Sequence, residues 1–434
     1  MFQYNMKMRT HLFDSHKELL YRLRAGLSAI QKSKIKLIIS IVHICFMLLT
    51  WSNRNHVLFM KEELLPSAIN SFIGRLFVVL YMLSSTLFIL YAFSNPVEAW
   101  KVKKAFERIG FYNHVGTAPI LISFSNKENF LKYRFYSEGV SKEKWEKNLY
   151  MIENTLNLTI DSIGFSNKSY RIIEVTAFQG VYEYPDVIVW DRTYLPLSTD
   201  EIIIGESIRG RLNVSLNTFA HWLIAGETGS GKSVLLKLIL MQCICHGHKV
   251  YIADFKGGTD YEPIWETRCT FLTDEAVLIE KLHSIISEIE NRKSMMKGYK
   301  NIDIFYNETG THLPRIIIGV DELAEVLDKS GASKERKEQI AVIESAFSTI
   351  ARQGRAYGIN LILSMQRPDA NVLTGQIKSN IGYRICGRSD KTLSQIVIDS
   401  SEASKKVSNL EKGIFLTNNG DLFKSYTCHP EELL

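Results

Sequence analysis

The stretch His221–Val234, HWLIAGETGSGKSV, constrains this chain more than any other. An apolar run, Leu223, Ile224 and Ala225, leads into G-x-x-x-x-G-K-S, and a helix-forming segment follows; the expected local structure is strand, phosphate-cradling loop and helix. Glycines at 226, 229 and 231 let backbone N–H groups turn inward around phosphate oxygens, and the start of the next helix adds its positive dipole end. Lys232 has the reach for β- and γ-phosphates, and the Ser233 hydroxyl is a ligand for Mg²⁺. Gly226, Glu227, Thr228, Gly229, Ser230, Gly231, Lys232 and Ser233 are therefore the expected nucleotide-binding residues.

With 434 residues the chain exceeds one ordinary core, so two or three units are expected. Its six cysteines are scattered through apolar surroundings; Cys243 and Cys245 fit a buried helix face better than a metal site, and free thiols suit a reducing cytosol. The net charge of +6 resides in the first 36 residues, which hold eight Lys/Arg against Asp14 and Glu18. The remainder is balanced, so any contact with nucleic acid by the main body has to come from local patterning.

Residues 1–34 form a basic tail in which Leu19, Leu20, Leu23, Leu27 and Ile30 recur at helical spacing; it either lies on a membrane surface or packs on a neighbour. Two apolar runs follow, 35–51 and Leu76–Phe93, the second placed in a span at 72–93. Separated by a polar loop at 52–71, they read as a transmembrane hairpin, with two buried core helices as the alternative. Lys101, Lys103, Lys104 and Arg108 after the second run, with the basic tail before the first, place both termini on the cytoplasmic side. Trp51, Tyr91 and Trp100 suit interfacial belts, and Pro96 marks the end of the second helix. Residues 94–200 read as a small α/β module, with strands at Pro119–Phe124, Tyr170–Ala177 and Val187–Trp190 and one helix, Lys142–Leu156. The four N-x-S/T triplets read as chance.

Residues 201–434 alternate strand and helix. Val250–Ala253 ends in Asp254 and a turn at Lys256-Gly257-Gly258; a helix at Glu275–Met296 follows, then strands at Arg315–Val320, Asn360–Ser364, Tyr383–Cys386 and Ile414–Thr417. Apolar strands with intervening helices imply a mostly parallel sheet covered on both faces. The strand before Asp321-Glu322 ends in two carboxylates about 90 residues after the lysine loop. There Asp321 can hold the Mg²⁺ shell and Glu322 can polarise the attacking water. Gln366 and Arg367 emerge from the next strand; Gln366 either reports the γ-phosphate or belongs to a polar turn before Pro368. Arg352 and Arg355 are either arginine fingers for a neighbouring subunit or surface charges. Lys378, Asn380 and the run Lys329–Lys337 are candidate DNA contacts in loops between core elements.

HWLIAGETGSGKSV, IENRKSMMKGYKNIDIFYN, IIIGVDELAEVL and RQGRAYGINLILSMQRPDANVLTGQIKSNIGYRICGRS together resemble the motor of the FtsK/SpoIIIE family of DNA translocases, over roughly residues 205–430. The resemblance implies a RecA-like ATPase using ATP and Mg²⁺, working as a homo-hexameric ring around DNA. It puts Lys232 and Ser233 on the family's nucleotide loop, Asp321 and Glu322 on its acidic motif and Gln366 on its post-strand glutamine. Two spans, little linker and one motor are most similar to the TcpA-like coupling proteins of Gram-positive conjugative elements. These imply delivery of relaxase-bound DNA, single- or double-stranded, to a mating channel. The alternatives are a duplex pump for chromosome segregation, disfavoured by the lack of a C-terminal winged helix, and a nucleotide-switched receptor of a secretion channel.

Overall fold

A computed structural model describes residues 34–54, 67–94, 98–127, 130–166, 169–255, 260–366, 375–407 and 412–433, with isolated positions at 23, 26, 27, 30 and 31. Most of the basic tail, residues 55–66 of the expected loop, the Lys256-Gly257-Gly258 turn and Arg367 lie outside them. The chain divides into two compact units, Met1–Tyr182 and Glu183–Leu434.

In the first unit, helices α1 (Lys34–Ser52) and α2 (Ser67–Ser94) are long and apolar enough to cross a membrane, and little of either is buried. Lys36 Nζ donates to the Phe93 carbonyl at 2.8 Å and Ser85 Oγ to Met47 Sδ at 3.9 Å, so the two run antiparallel. Their outward Ile, Val and Phe side chains, such as Ile38, Val42 and Phe88, are exposed, a cost in water that lipid would remove. α2 begins nine residues before the uncharged run, and this added segment contains Arg75 and the buried Asn70.

After α3 (Ala99–Arg108) the chain forms β1 (Ile120–Lys127), β2 (Phe130–Tyr136), α4 (Lys142–Lys147), α5 (Leu149–Leu156), β3 (Leu158–Ser166) and β4 (Ser169–Gln179). The four strands make an antiparallel sheet in the order β1-β2-β4-β3. Leu131, Tyr133 and Phe135 alternate inward along β2 and meet Phe106, Phe111 and the fully buried Trp145, whose Nε1 donates to Ser137 Oγ at 2.9 Å. The single helix expected over Lys142–Leu156 is broken at Asn148. There the side-chain Nδ2 takes the Lys144 carbonyl at 2.8 Å, a local bond that competes with helix propagation.

The second unit is built on a ten-stranded sheet, β6-β5-β14-β13-β12-β7-β11-β10-β8-β9. Its strands are β5 (Glu201–Ser207), β6 (Gly210–Ser215), β7 (His221–Ala225), β8 (Lys249–Ala253), β9 (Thr270–Leu272), β10 (Ile316–Val320), β11 (Ile359–Met365), β12 (Tyr383–Cys386), β13 (Ile414–Thr417) and β14 (Leu422–Ser425). From β12 to β9 all neighbours are parallel; β13, β14, β5 and β6 form an antiparallel wing. The central strands β7, β10 and β11 are buried throughout because both faces are covered: Leu223 and Ala225 join the core beneath helices α7 (Glu275–Met295) and α10 (Lys334–Gln353), counting α8 (Ile302–Thr309) and α9 (Leu323–Leu327) between. Trp222 and Ile224 join the core beneath α6 (Lys232–Cys245). Residues before β5 also belong to this sheet's surroundings, since Trp190 is buried in that second core and its N–H donates to the Thr427 carbonyl at 2.8 Å.

Two buried histidines tie this packing to pH. Burial, assisted by the Arg355 charge, pushes His221 down to about 4; burial likewise pushes His248 down to about 4 against its 2.7 Å contact with the Thr199 carbonyl. Both are neutral when folded, whereas the unfolded chain binds protons near pH 6.5. Stability is thus full above that value and falls as pH drops toward 4, by about 2 kcal/mol per histidine at pH 5. Urea-unfolding midpoints of the chain in detergent should decline over pH 7 to 5, and Gln at both positions should flatten the decline.

Candidate nucleotide site

β7 ends at Ala225 inside the sheet, so the loop 226–231 emerges at the carboxyl edge, where helix dipoles and strand ends converge. Gly226, Gly229 and Gly231 have φ of 157°, 76° and 102°. A Cβ on Gly226 would stand 2.8 Å from Ser230 Oγ and 3.2 Å from Gly387 Cα, and one on Gly231 3.2 Å from Gly413 Cα. The loop is held by backbone bonds on both flanks: Gly387 N–H to Ala225 O at 2.8 Å, Glu227 N–H to Arg388 O at 2.8 Å, and Gly413 N–H to Ser230 O at 2.9 Å. Glu227, Thr228 and Gly229 form its exposed crown; Ser230 and Lys232 are buried, and Ser233 is half-buried in the first turn of α6.

The parallel register brings the acidic strand to the same edge. Val320 pairs with Leu363 and Met365 with Ala225, so β11 lies between the lysine loop and Asp321-Glu322. Asp321 and Glu322 are 5 and 9 % exposed, Lys232 6 %, a concentration of buried charge that a folded chain tolerates only where charges compensate one another or a ligand. Gln366 links the two halves. Its side-chain Oε1 accepts from Thr228 Oγ1 at 2.9 Å, and its backbone N–H donates to both Glu322 carboxylate oxygens at 3.2 Å. Glu322 also accepts from Ala324 N at 3.4 Å as the cap of α9.

Three further residues join this edge: Asp254, which the sequence marks only as a strand end, and Arg388 and Tyr261, which do not stand out in the sequence. Arg388, directly after β12, sets its Nε 3.3 Å from Glu227 Oε2 and donates through Nη2 to the Thr228 carbonyl at 3.0 Å. Asp254 ends β8, buried. Burial, then the charges of Asp321 and Asp254, raises the Tyr261 phenol far above its ordinary value, so it remains a neutral hydroxyl beside them. A glycine-arginine pair after a strand was the available signal for Arg388; that β12 crosses back to lie beside β7 was not readable.

The arginines lie elsewhere. Arg352 ends α10 with Nε on its own Ser348 carbonyl at 3.3 Å; Arg355 precedes β11 and donates to the Asn217 carbonyl at 3.2 Å, at the amino edge of the sheet. The seven residues of β11 separate Arg355 from the phosphate loop by about 20 Å, so it has no role at its own chain's loop. The candidate DNA contacts are not free loops. Lys329 pairs with Glu344 at 2.7 Å, Arg336 with Glu275 at 3.0 Å in the first turn of α10, and Lys378 with Asp399 at 2.7 Å from helix α11 (Gly375–Asn380). Such exposed pairs are worth about 0–1 kcal/mol.

The residues fit a nucleoside triphosphate with its cation. At Gly226 and Gly231 the cradle is too tight for a side chain, and buried Ser230 Oγ has no hydrogen-bond partner among the described residues. A buried lysine and two carboxylates supply opposite charges on either side.

The FtsK/SpoIIIE family model matches residues 189–370. Among curated proteins, the DNA translocase FtsK of Leptospira interrogans is 33% identical over 249 residues, covering 53% of this chain and 25% of that protein. FtsK of Staphylococcus aureus is 34% identical over 242 residues, covering 51% and 29%. The chain thus spans under a third of the length of these relatives. Among solved structures, the pCW3 conjugation coupling protein TcpA, a monomer form with ATPgS, is 32% identical with a TM-score of 0.58, covering 78% of this chain and 99% of that one.

Proposed function

From the premise that the chain belongs to the FtsK/SpoIIIE family of P-loop ATPases, we propose that it is a membrane-anchored motor that couples ATP hydrolysis to DNA movement. In this reading it serves conjugation, delivering relaxase-bound DNA to a transfer channel. One observation carries the chemistry: Gln366 bridges the lysine loop and the Glu322 carboxylate at one sheet edge. Lys232 neutralises charge on the β- and γ-phosphates, Glu322 orients and polarises the attacking water, and the Gln366 side chain responds to the terminal phosphate through Thr228. Ser233 and Asp321 would hold Mg²⁺, which would supply charge neutralisation for the phosphates. Arg352 and Arg355, on the far edge, serve the nucleotide of an adjacent subunit in a homo-hexamer. Helices α1 and α2 anchor the motor with both termini in the cytoplasm.

Coupling is favoured over chromosome pumping because the similarity to the solved TcpA chain covers 78% of this chain, whereas that to the FtsK proteins covers about half of it. The test is ATPase rate against protein concentration, with no DNA, single strands or duplex. Turnover per chain should rise with concentration and rise again with DNA. A concentration-independent, DNA-insensitive rate would reject the motor in favour of a nucleotide-switched receptor, and strict duplex preference would favour the segregation pump.

A further inference from the structure

The first unit contains a cavity of about 430 Å³ that plays no part in the nucleotide chemistry. Lys101, Lys104 and Arg108, three and four residues apart on one face of α3, line it, whereas Lys103 on the same helix does not. The adjoining face of α3 is fixed in the core by Val102, Ala105 and Phe106, the first two of which also floor the cavity, so the three cations are presented by a rigid element. Asn126 from β1, Thr155 from α5 and Gln179 from β4 add neutral hydrogen-bonding groups. Glu98 is the one acidic residue of the lining, 3.4 Å from Lys101, leaving the cavity cationic. Tyr133 completes it; burial, then Glu98, pushes its phenol up to about 12, so it remains a donor.

Cations with amide and hydroxyl groups around them recognise a phosphodiester bearing free hydroxyls. Placement identifies its source. α2 ends at Ser94 and α3 starts at Ala99, so the helix that carries the cationic wall begins within about 18 Å of chain from the end of a candidate span. Trp100, 65% exposed with Lys104 Nζ 3.9 Å over its ring, is the side chain expected at a headgroup layer. We propose that this cavity binds the phosphoglycerol headgroup of an anionic phospholipid, with Lys101, Lys104 and Arg108 on the phosphate and Glu98 accepting from a headgroup hydroxyl. The proposal rests on the membrane-anchored reading above. An open cavity of about 430 Å³ has room for one headgroup, whereas a nucleic acid strand needs an extended cationic track.

The test is native mass spectrometry of the full chain in neutral detergent, titrated with palmitoyl-oleoyl phosphatidylglycerol or phosphatidylcholine. Glycerol phosphate and a twelve-nucleotide single strand are used as competitors. Phosphatidylglycerol should be retained at least tenfold more tightly than phosphatidylcholine. That preference should vanish in K101Q/K104Q/R108Q and stay within twofold in K103Q. Equal loss in K103Q would show diffuse attraction, and displacement by the oligonucleotide a nucleic-acid surface; either overturns the proposal. Glycerol phosphate binding as tightly as the lipid would overturn the lipid as ligand. Alkaline carbonate extraction separates the two readings. Release from membranes defeats the anchoring reading, whereas retention without phosphatidylglycerol preference defeats only the headgroup site.

Discussion

Lys232→Ala should lower ATP turnover by about 10²–10³-fold, the cost of removing one preorganised charge from a phosphate site. Lys232 opens α6 and is buried, so no water-exposed cation takes its place. The loop itself should survive. Its shape is set by Gly387 and Gly413 amides on Ala225 and Ser230 carbonyls, none of which involves the lysine side chain. Phosphate release measured beside circular dichroism and carbonate extraction checks this. Normal turnover in the variant would remove the nucleotide from the site.

Glu322→Gln should separate binding from hydrolysis. Its carboxylate accepts from Gln366 N and Ala324 N, and an amide oxygen still accepts, so the fold and ATP affinity should hold within a few-fold. Turnover should fall by about 10²–10⁴-fold, because an amide cannot take a proton from water. Glu322→Ala should in addition lose about 1 kcal/mol of stability with the α9 cap. Nucleotide binding by fluorescence polarisation and single-turnover hydrolysis read the two effects separately. Were Glu322 only a cap, Gln would keep activity and Ala would not.

Much of the motor was legible from residues because its signals are local. The strand limits at Tyr383–Cys386 and Ile414–Thr417 coincide with the structure, since each apolar run is bounded by glycine or polar turn residues. The phosphate loop announces itself by spacing. Less legible was whatever depends on a partner. β2 has lysine and arginine between its inward aromatics, and the break at Asn148 hangs on one side-chain bond. Arg388 is invisible as a site residue until β12 is known to lie against β7, and it falls outside the stretch matched by the family model. Ion pairs such as Lys378–Asp399, joining different elements, were equally beyond reach of charge counting.

The contact of Gly231 with Gly413, and of Gly226 with Gly387, leaves no slack between the phosphate loop and the turns it touches. Gly413 in turn receives the Ser425 amide at 2.7 Å, and Ser425 pairs with Gly205 of β5. An unbroken run of backbone contacts therefore joins the phosphate loop to β14 and β5, so a shift of the loop cannot be absorbed locally without displacing the edge strands.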